Sequence, residues 1–329
     1  MKVKAVMANL LLMSVSISLV VGMAEVASRY TVPISPGPKL LSLDGEPLRQ
    51  SYVAANSEYR IITPDFDAKT TITKDGYRAP QANGNPDTLF LGDSFTFAQG
   101  VKDDEAFAYL YCKEKGLECA NLAVPGASTL YTLDRLEYFL KDKGWAPNNV
   151  FLFFFTGNDF SDNVWAAEQH GKGRNYEPLE LSPDLESAQK GALPLHKRVF
   201  DLTLHYSNLM RVLYFKVLPE MRNARDPKAQ SLQMAKALEI TQRSFQRLQT
   251  LSEQYAFNYR VFVLFSEPEI RQQTYPEIEK SLQAIAPDGI ISLGTLFAED
   301  TSHAFFPSDG HLTVSGNRLV ADFLVKNMP

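Results

Sequence analysis

Residues 150–155, VFLFFF, are six apolar residues in succession with no polar residue among them. A strand with one face in water alternates apolar and polar residues, because successive side chains point to opposite faces of the sheet. The run therefore predicts a strand that is covered on both faces. Strands of this kind are typical of parallel sheets that carry helices on each side.

The sequence around this run alternates predicted strands with predicted helices. Strands are predicted at 88–91, 118–123, 148–156, 259–265 and 289–293, and helices at 104–115, 128–141, 226–255, 276–285 and 313–326. The alternation predicts an α/β domain over residues 86–329. A polar loop followed by apolar residues at helical spacing interrupts it at about 160–225, which predicts a helical insertion. Residues 28–85 have no sustained period and predict an extended juxtamembrane arm or small hairpins.

The first 27 residues predict a membrane anchor. The run from Ala5 to Ala24 carries no charge, follows Lys2 and Lys4, and is long enough to cross a bilayer as a helix. The two lysines favour a cytoplasmic N-terminus, which places the rest of the chain in the periplasm or outside the cell. A cleaved signal peptide is the alternative, since small residues stand at 22–24, and the length of the run favours the uncleaved anchor.

Composition limits the partners and cofactors. The chain has 33 basic and 38 acidic residues and a pI near 5.6, so no basic surplus indicates binding to nucleic acid. Two cysteines, Cys112 and Cys119, exclude a metal cluster built on cysteine. They stand near the end of a predicted helix and in the following strand, so they either form a disulfide in an oxidising compartment or remain two buried small side chains.

Polar residues stand where the predicted strands end. The segments are 92–94, 121–129, 156–163 and 307–317. The carboxyl ends of parallel strands line one crevice, which is where ligands bind in open α/β sheets. We therefore expect these four segments, although far apart in sequence, to meet at one site.

The residue types in these segments indicate acyl transfer through a serine. Ser94 is the candidate nucleophile, His311 the base that activates it, and Asp309 the group that orients the imidazole. The candidate oxyanion donors are the backbone N–H groups of Ser94 and Gly126 and the side-chain amide of Asn158. Each residue alone has an ordinary structural role as a helix cap or turn residue. Their order at successive strand ends makes the catalytic interpretation specific.

Four sequence blocks resemble the SGNH hydrolase family, the GDSL-type esterases and acyltransferases. They are LGDSFTFAQGV with Ser94, NLAVPGAST with Gly126, TGNDF with Asn158 and DGHLTVSGN with His311. DGYR at 75–78 resembles a segment that precedes the first block in membrane-anchored bacterial members. The resemblance covers about residues 87–329. It implies a flavodoxin-like three-layer sandwich with five parallel strands, ester chemistry through an acyl-serine, and neither a metal nor an organic cofactor.

The last block departs from the family pattern. Many members have Asp-x-x-His, whereas Ser308 stands three residues before His311 and Asp309 only two. The spacing leaves open whether Asp309 completes a triad or whether Ser94 and His311 act as a dyad. His303 is a rival base, although no acidic residue stands two or three positions before it.

The expected function is hydrolysis of acyl or acetyl esters of carbohydrates or other small alcohols, outside the cytoplasmic membrane. Acyl transfer to an envelope or extracellular polysaccharide is an alternative, because both reactions use the same acyl-enzyme. A binding or assembly protein without activity is the third hypothesis. The intact set of Ser94, Gly126, Asn158 and His311 argues against it.

Overall fold

A computed structural model of the chain describes residues 2–32, 39–42, 54–169, 195–218, 227–298 and 301–329. The strands are β1 (Lys39–Ser42), β2 (Ser57–Ile62), β3 (Asp67–Ile72), β4 (Thr88–Leu91), β5 (Cys119–Asn121), β6 (Asn149–Phe155), β7 (Asn258–Leu264) and β8 (Ile291–Ser292). The helices are α1 (Lys2–Thr31), α2 (Ser94–Phe97), α3 (Phe107–Lys115), α4 (Thr129–Lys141), α5 (Asp159–Gln169), α6 (Leu195–Tyr206), α7 (Asn208–Val212), α8 (Pro227–Tyr255), α9 (Glu267–Arg271), α10 (Tyr275–Ile285), α11 (Gly294–Ala298), α12 (Thr301–Ala304) and α13 (Val314–Asn327). Asp103–Glu105 is a turn of 3₁₀-helix, and Leu213–Val217 continues α7 as a π-helix.

The main sheet has five strands in the order β5-β4-β6-β7-β8, and every neighbouring pair is parallel. β6 is central, and its residues from Val150 onward are buried, as the run VFLFFF predicts. Phe153 of this strand stacks on Phe90 of β4 and on Phe262 of β7. The predicted α/β fold with five parallel strands is therefore confirmed, and the predicted helices after residue 103 form within a few residues of their expected bounds.

A second sheet precedes the main one. Strands β1, β2 and β3 form an antiparallel sheet in that order, within the segment that the sequence predicts as an extended arm or small hairpins. Tyr59, Ile61 and Ile72 from β2 and β3 are buried with Phe97 and Ala123, which follow strands of the main sheet. The β2–β3 hairpin thus packs directly beside the segment that contains Ser94.

The chain divides into two compact units. One comprises residues 1–38 and 192–228, and the other comprises residues 39–191 and 229–329. The first therefore contains α1 together with helices α6 and α7 of the predicted insertion. Residues 170–194 and 219–226 of that insertion lie outside the described residues. The predicted domain boundary at 85/86 falls inside the second unit.

Helix α1 is long and apolar enough over Leu11–Thr31 to cross a membrane, by its length and composition. Its large apolar side chains, such as those of Leu12 and Leu19, are exposed to the surroundings. A membrane anchor and an export signal share these properties. The helix coincides with the predicted apolar segment. Its length and composition fit both an uncleaved anchor and a cleaved signal peptide.

Candidate active site

A glycine and an aspartate set the turn that presents Ser94. A Cβ atom at Gly92 would lie 2.9 Å from the carbonyl oxygen of Phe153 on β6, so the close approach of the chain to β6 requires glycine. The carboxylate of Asp93 then accepts a hydrogen bond of 2.9 Å from the N–H of Phe95 and caps α2. Ser94 is the first residue of α2, at the carboxyl end of β4.

Ser94, His311 and Asp309 form one hydrogen-bonded chain. His311 Nε2 lies 2.7 Å from Ser94 Oγ, and His311 Nδ1 is hydrogen-bonded to Asp309 Oδ1. The side chains of His311 and Asp309 are 16% and 10% exposed, so bulk water screens their interaction little. If the Asp309 carboxylate accepts from Nδ1–H, Nε2 is left as the acceptor for the proton of Ser94.

Gly310 explains how an aspartate only two residues from the histidine reaches its ring. Gly310 has a φ of +83°, a left-handed conformation that favours glycine. Its N–H donates to the carbonyl of Phe306 over 2.9 Å, and the N–H of Phe306 donates to the carbonyl of His311 over 2.8 Å. This tight turn folds Asp309 back onto the imidazole. The structure therefore brings Ser94, His311 and Asp309 together despite the departure from the family spacing.

Asp65 supports this turn, and sequence reasoning missed it. Its carboxylate accepts hydrogen bonds from the N–H groups of Ser308 (2.8 Å) and Asp309 (2.7 Å) and from the hydroxyl of Ser308 (3.0 Å). Asp65 stands in the β2–β3 turn, more than 240 residues before its partners. No local pattern marks such a contact, because it depends on where the hairpin packs.

The segments of Gly126 and Asn158 lie beside the same turn. The N–H of Val124 donates to the carbonyl of Gly92 over 3.1 Å, which ties the Gly126 loop to the end of β4. Among the described residues, the N–H groups of Ser94 and Gly126 donate to no protein acceptor. Both are therefore available to an oxyanion. Gly126 has a φ of +71°, and a Cβ atom there would meet open space, so the backbone conformation rather than crowding favours glycine.

Asn158 is held by a neighbour on its own turn. Its Nδ2 atom donates to Asp162 Oδ2 over 2.9 Å. A primary amide carries two N–H donors. One is held by Asp162, and the other, which also interacts with the nearby Asp93 carboxyl, is the candidate donor to an oxyanion. Asp162 is thus a supporting residue that the sequence pattern did not indicate.

Two buried carboxyl groups lie beneath this site. Asp93 and Asp159 are 1% and 2% exposed, and Asp159 accepts a hydrogen bond of 2.9 Å from the N–H of Phe155. Within the described part of the chain, Asp93 Oδ2, Asp159 Oδ1 and the side-chain amide oxygen Oδ1 of Asn158 are buried with no hydrogen-bond donor. A proton held by the carboxyl pair would supply a donor there.

Burial raises the pKa of Asp93 to about 6, although the Phe95 N–H and nearby His311 and Asn158 act in the opposite direction. Burial and the adjacent Asp93 charge raise the pKa of Asp159 well above its ordinary value. Two buried carboxylates close together cannot both ionise cheaply. The pair therefore retains a proton at pH values where a surface aspartate is ionised.

Arg78, from the DGYR segment, holds the chain that follows α2. Its guanidinium is 1% exposed and donates to the carbonyls of Phe97, Ala98 and Val101, the last two over 2.6 Å. It also donates to Asp103 over 3.1 Å. A planar guanidinium with five donors suits a cluster of acceptors of this kind. The segment whose sequence resembles that of anchored family members thus fixes the loop behind Ser94.

The other predicted residues lie apart from this chain of contacts. Cys112 and Cys119 form a disulfide between the end of α3 and β5. His303 is exposed on α12, where its carbonyl accepts a hydrogen bond from the hydroxyl of Thr313. Among the residues described, no three His, Cys, Asp or Glu side chains are placed to hold a metal ion.

The sequence model of the GDSL-like lipase/acylhydrolase family matches residues 89–324. No curated protein matches the chain in sequence. Among solved structures, TesA is 11% identical with a TM-score of 0.40, over 72% of this chain and 94% of that one. The psychrotrophic esterase EstA from Pseudoalteromonas sp. is 12% identical with a TM-score of 0.35, over 74% and 96%. A family two carbohydrate esterase from Clostridium thermocellum is 11% identical with a TM-score of 0.38, over 90% and 86%.

Proposed function

Because this chain belongs to the GDSL-like lipase/acylhydrolase family and is an SGNH-type ester hydrolase, we propose that it cleaves carboxylic esters through an acyl intermediate on Ser94. The observation that carries the proposal is the contact of 2.7 Å between Ser94 Oγ and His311 Nε2, with Asp309 on the other ring nitrogen. A serine hydroxyl needs such a base to become nucleophilic at neutral pH.

In the acylation step, Ser94 Oγ attacks the ester carbonyl carbon while its proton moves to His311 Nε2. The Asp309 carboxylate stabilises the resulting imidazolium. The N–H groups of Ser94 and Gly126 and the amide of Asn158 stabilise the negative charge on the former carbonyl oxygen. The tetrahedral intermediate then expels the alcohol, which takes its proton from His311, and the acyl group stays on Ser94.

In the deacylation step, His311 removes a proton from water, and the hydroxide attacks the acyl-serine carbonyl. The same donors stabilise the second oxyanion. Collapse of this intermediate releases the carboxylic acid and returns the proton to Ser94 Oγ. His311 thus accepts a proton at the start of each step and returns it at the end, to the alcohol in acylation and to Ser94 Oγ in deacylation.

Polar side chains beside the Asp309 turn support an alcohol with hydroxyl groups, such as a carbohydrate, as the leaving group, while the ring of Phe95 packs against His311 itself. The imidazole must reach the departing oxygen, so the alcohol lies on the side of His311. Exposed Ser308 and half-buried Asp65 stand on that side and offer hydrogen bonds to hydroxyl groups. The substrate class that we propose is therefore an acylated carbohydrate or another small ester.

Helix α1 supports a location outside the cytoplasmic membrane. Its uncharged run follows Lys2 and Lys4, and a short basic segment before an apolar run favours retention of the N-terminus in the cytoplasm. The rest of the chain is then exported. We propose that α1 remains as a single anchor.

Steady-state hydrolysis of p-nitrophenyl acetate and of acetylated glycans tests the proposed mechanism. Ser94→Ala and His311→Ala should each remove nearly all turnover, and the double variant should lose hardly more than one change, because the two side chains act as a unit. The matched control is His303→Ala, which should retain activity. Turnover by His311→Ala together with an inactive His303→Ala would contradict the assignment of the base. Alcohol release without an equal amount of free acid would point to transfer onto another acceptor.

A further inference from the structure

Exposed apolar side chains are concentrated in one of the two units. In α6, Val199 and Leu202 lie three residues apart, on one helical face, and each is 54% exposed. In the helical segment that continues α7, Leu213, Val217 and Leu218 lie at helical spacing and are also exposed. Outside this unit, the exposed large apolar side chains among the described residues are those of Trp165, Leu232, Met234 and Val314. Helix α6 and the helical segment that continues α7 therefore expose apolar side chains, as α1 does.

The carboxylate of Glu25 joins α1 to the start of α7. It accepts hydrogen bonds of 2.9 Å from the N–H groups of Asn208 and Leu209 and of 2.7 Å from the hydroxyl of Ser207. A carboxylate on the first N–H groups of a helix is favourable for both hydrogen bonding and the helix dipole. Glu25 thus acts as a cap for α7 that is supplied by α1.

Two further contacts fix the corner between α6 and α7 at the same place. Arg29 donates to the carbonyl of Tyr206, the last residue of α6, over 2.8 Å. The side-chain amide of Asn208 donates to Ser28 Oγ over 3.1 Å and to the carbonyl of Val32 over 3.0 Å. The final turns of α1, from Glu25 to Val32, therefore hold the end of one inserted helix and the beginning of the next.

The length of α1 determines the depth of this corner. The uncharged run from Ala5 to Ala24 spans roughly 30 Å as a helix at 1.5 Å per residue, which matches the hydrocarbon core of a bilayer. Glu25 and Arg29 are the two charged residues of the candidate span Leu11–Thr31, and they stand in its last turns, after this run. If α1 crosses the membrane, these charged residues lie at the level of the lipid headgroups on the outer side, and the corner of α6 and α7 lies there with them.

We propose that α6 and the helical segment 208–218 lie on the outer surface of the bilayer and insert their exposed apolar side chains between the lipid headgroups. This inference rests on the proposal that α1 crosses the membrane. Lipid is the occupant that we propose because the two apolar faces continue from an anchor whose own exposed surface contacts lipid. Short amphipathic helices with one apolar face bind membrane surfaces in this manner.

Lipid-dependent quenching of a fluorophore on the full-length protein tests the inference. The chain is reconstituted in vesicles of phosphatidylcholine and phosphatidylglycerol, and single cysteines at Leu202→Cys or Val217→Cys are labelled with nitrobenzoxadiazole. The native cysteines form a disulfide and do not react. We expect phospholipids with a shallow nitroxide to quench both labels several-fold more than a label at Leu232→Cys. Leu232 is the matched control because its side chain is 72% exposed and the residue belongs to the other unit.

A fourth label, at Leu19→Cys in the middle of α1, tests the membrane anchor separately from the surface position of α6 and segment 208–218. Quenching of position 19 by a deep nitroxide, with positions 202 and 217 as accessible to water as position 232, would overturn the surface inference and leave the anchor in place. Absence of quenching at position 19 would overturn both. Labels at 202 and 217 that are shielded from water and not quenched by lipid would show that protein covers these faces, which also overturns the inference.

Discussion

At the scale of single residues, Gly310 explains how Asp309 reaches the imidazole although it stands only two residues before His311. Its left-handed conformation returns the Asp309 carboxylate to His311 Nδ1, so the aspartate meets the imidazole from a position one residue closer than in the usual family pattern. The sequence left a triad and a dyad as alternatives. The geometry favours the triad, and mutation of Asp309 measures its contribution.

Asp309→Ala should lower kcat by roughly 100-fold or more, because the imidazolium would lose the carboxylate that stabilises it in the transition state. KM should change little, since the carboxylate does not contact the ground-state ester. The measurement is steady-state kinetics with p-nitrophenyl acetate, whose leaving group has no further hydroxyl for Ser308 to bind. The control is Ser308→Ala, which removes one hydrogen bond of Asp65 and leaves Asp309 in place. A loss of only a few-fold for Asp309→Ala would show that Ser94 and His311 act as a dyad.

Asp93 is a second residue with a testable role, because its burial makes the stability of the protein depend on pH. Burial raises its pKa to about 6 in the folded protein, against about 3.8 for an exposed aspartate. A group whose pKa is raised by folding contributes stability below its unfolded pKa, and this contribution is lost as the pH rises through its folded pKa. Ionised Asp93 therefore costs stability above about pH 6.

Asp93→Asn removes this cost, because an amide stays neutral and its oxygen can still accept the N–H of Phe95. The free energy of unfolding of the variant, relative to the native protein, should rise between pH 4 and pH 7 by on the order of 1–3 kcal/mol. Urea titrations of the detergent-solubilised chain at several pH values measure this difference. Asp104→Asn, at an exposed aspartate, is the control. A difference that does not vary with pH would contradict the proton held by the Asp93–Asp159 pair.

At the scale of elements, the β2–β3 hairpin and the segment after it support both halves of the site. Asp65 of the hairpin turn holds the Asp309 turn, and Arg78 holds the loop that follows Ser94. The sequence before the main sheet therefore belongs to the active-site architecture. Its lack of a sustained period predicted an arm, because hydrogen bonds to distant loops leave no local pattern.

Arg78→Met should lower the free energy of unfolding by about 3–5 kcal/mol, since three backbone carbonyls and Asp103 would lose their donor in a buried site. The matched control is Arg60→Met in the β2–β3 hairpin. Arg60 forms an ion pair with Asp67, and both side chains are about half exposed, so this change should lower the free energy of unfolding far less than Arg78→Met. If urea unfolding gives the two variants equal losses in the free energy of unfolding, the structural role of Arg78 is contradicted.

The alternation of apolar runs and helical patterns was sufficient to predict the five-stranded parallel sheet. A strand that is buried on both faces, such as β6, consists almost entirely of apolar residues, and the sequence alone shows this. The meeting of Ser94 and His311 was predictable from the same topology, since the loops at the carboxyl ends of parallel strands line one crevice. The supporting role of Asp162 and the proton retained by Asp93 and Asp159 could not be predicted from the sequence. They depend on which carboxyl groups share one buried space, and sequence spacing does not encode that.

At the scale of the whole molecule, the candidate active site and the apolar N-terminal helix belong to different units of the chain. The unit formed by residues 39–191 and 229–329 contains the Ser94 site, whereas the unit formed by residues 1–38 and 192–228 contains α1 and the helices clamped to its end. Glu25 and Asn208 are far apart in sequence and adjacent in space. The described helices of the insertion that interrupts the predicted α/β alternation thus contact α1.

The central claim is that Ser94 is the nucleophile activated by His311, and covalent labelling tests it most directly. The full-length protein is treated with a fluorophosphonate, and the modified peptide is identified by mass spectrometry. We predict one adduct, on Ser94, that forms at least 100-fold more slowly in His311→Ala and at an unchanged rate in His303→Ala. An adduct on another serine, or labelling of Ser94 at the native rate in His311→Ala, would contradict the account.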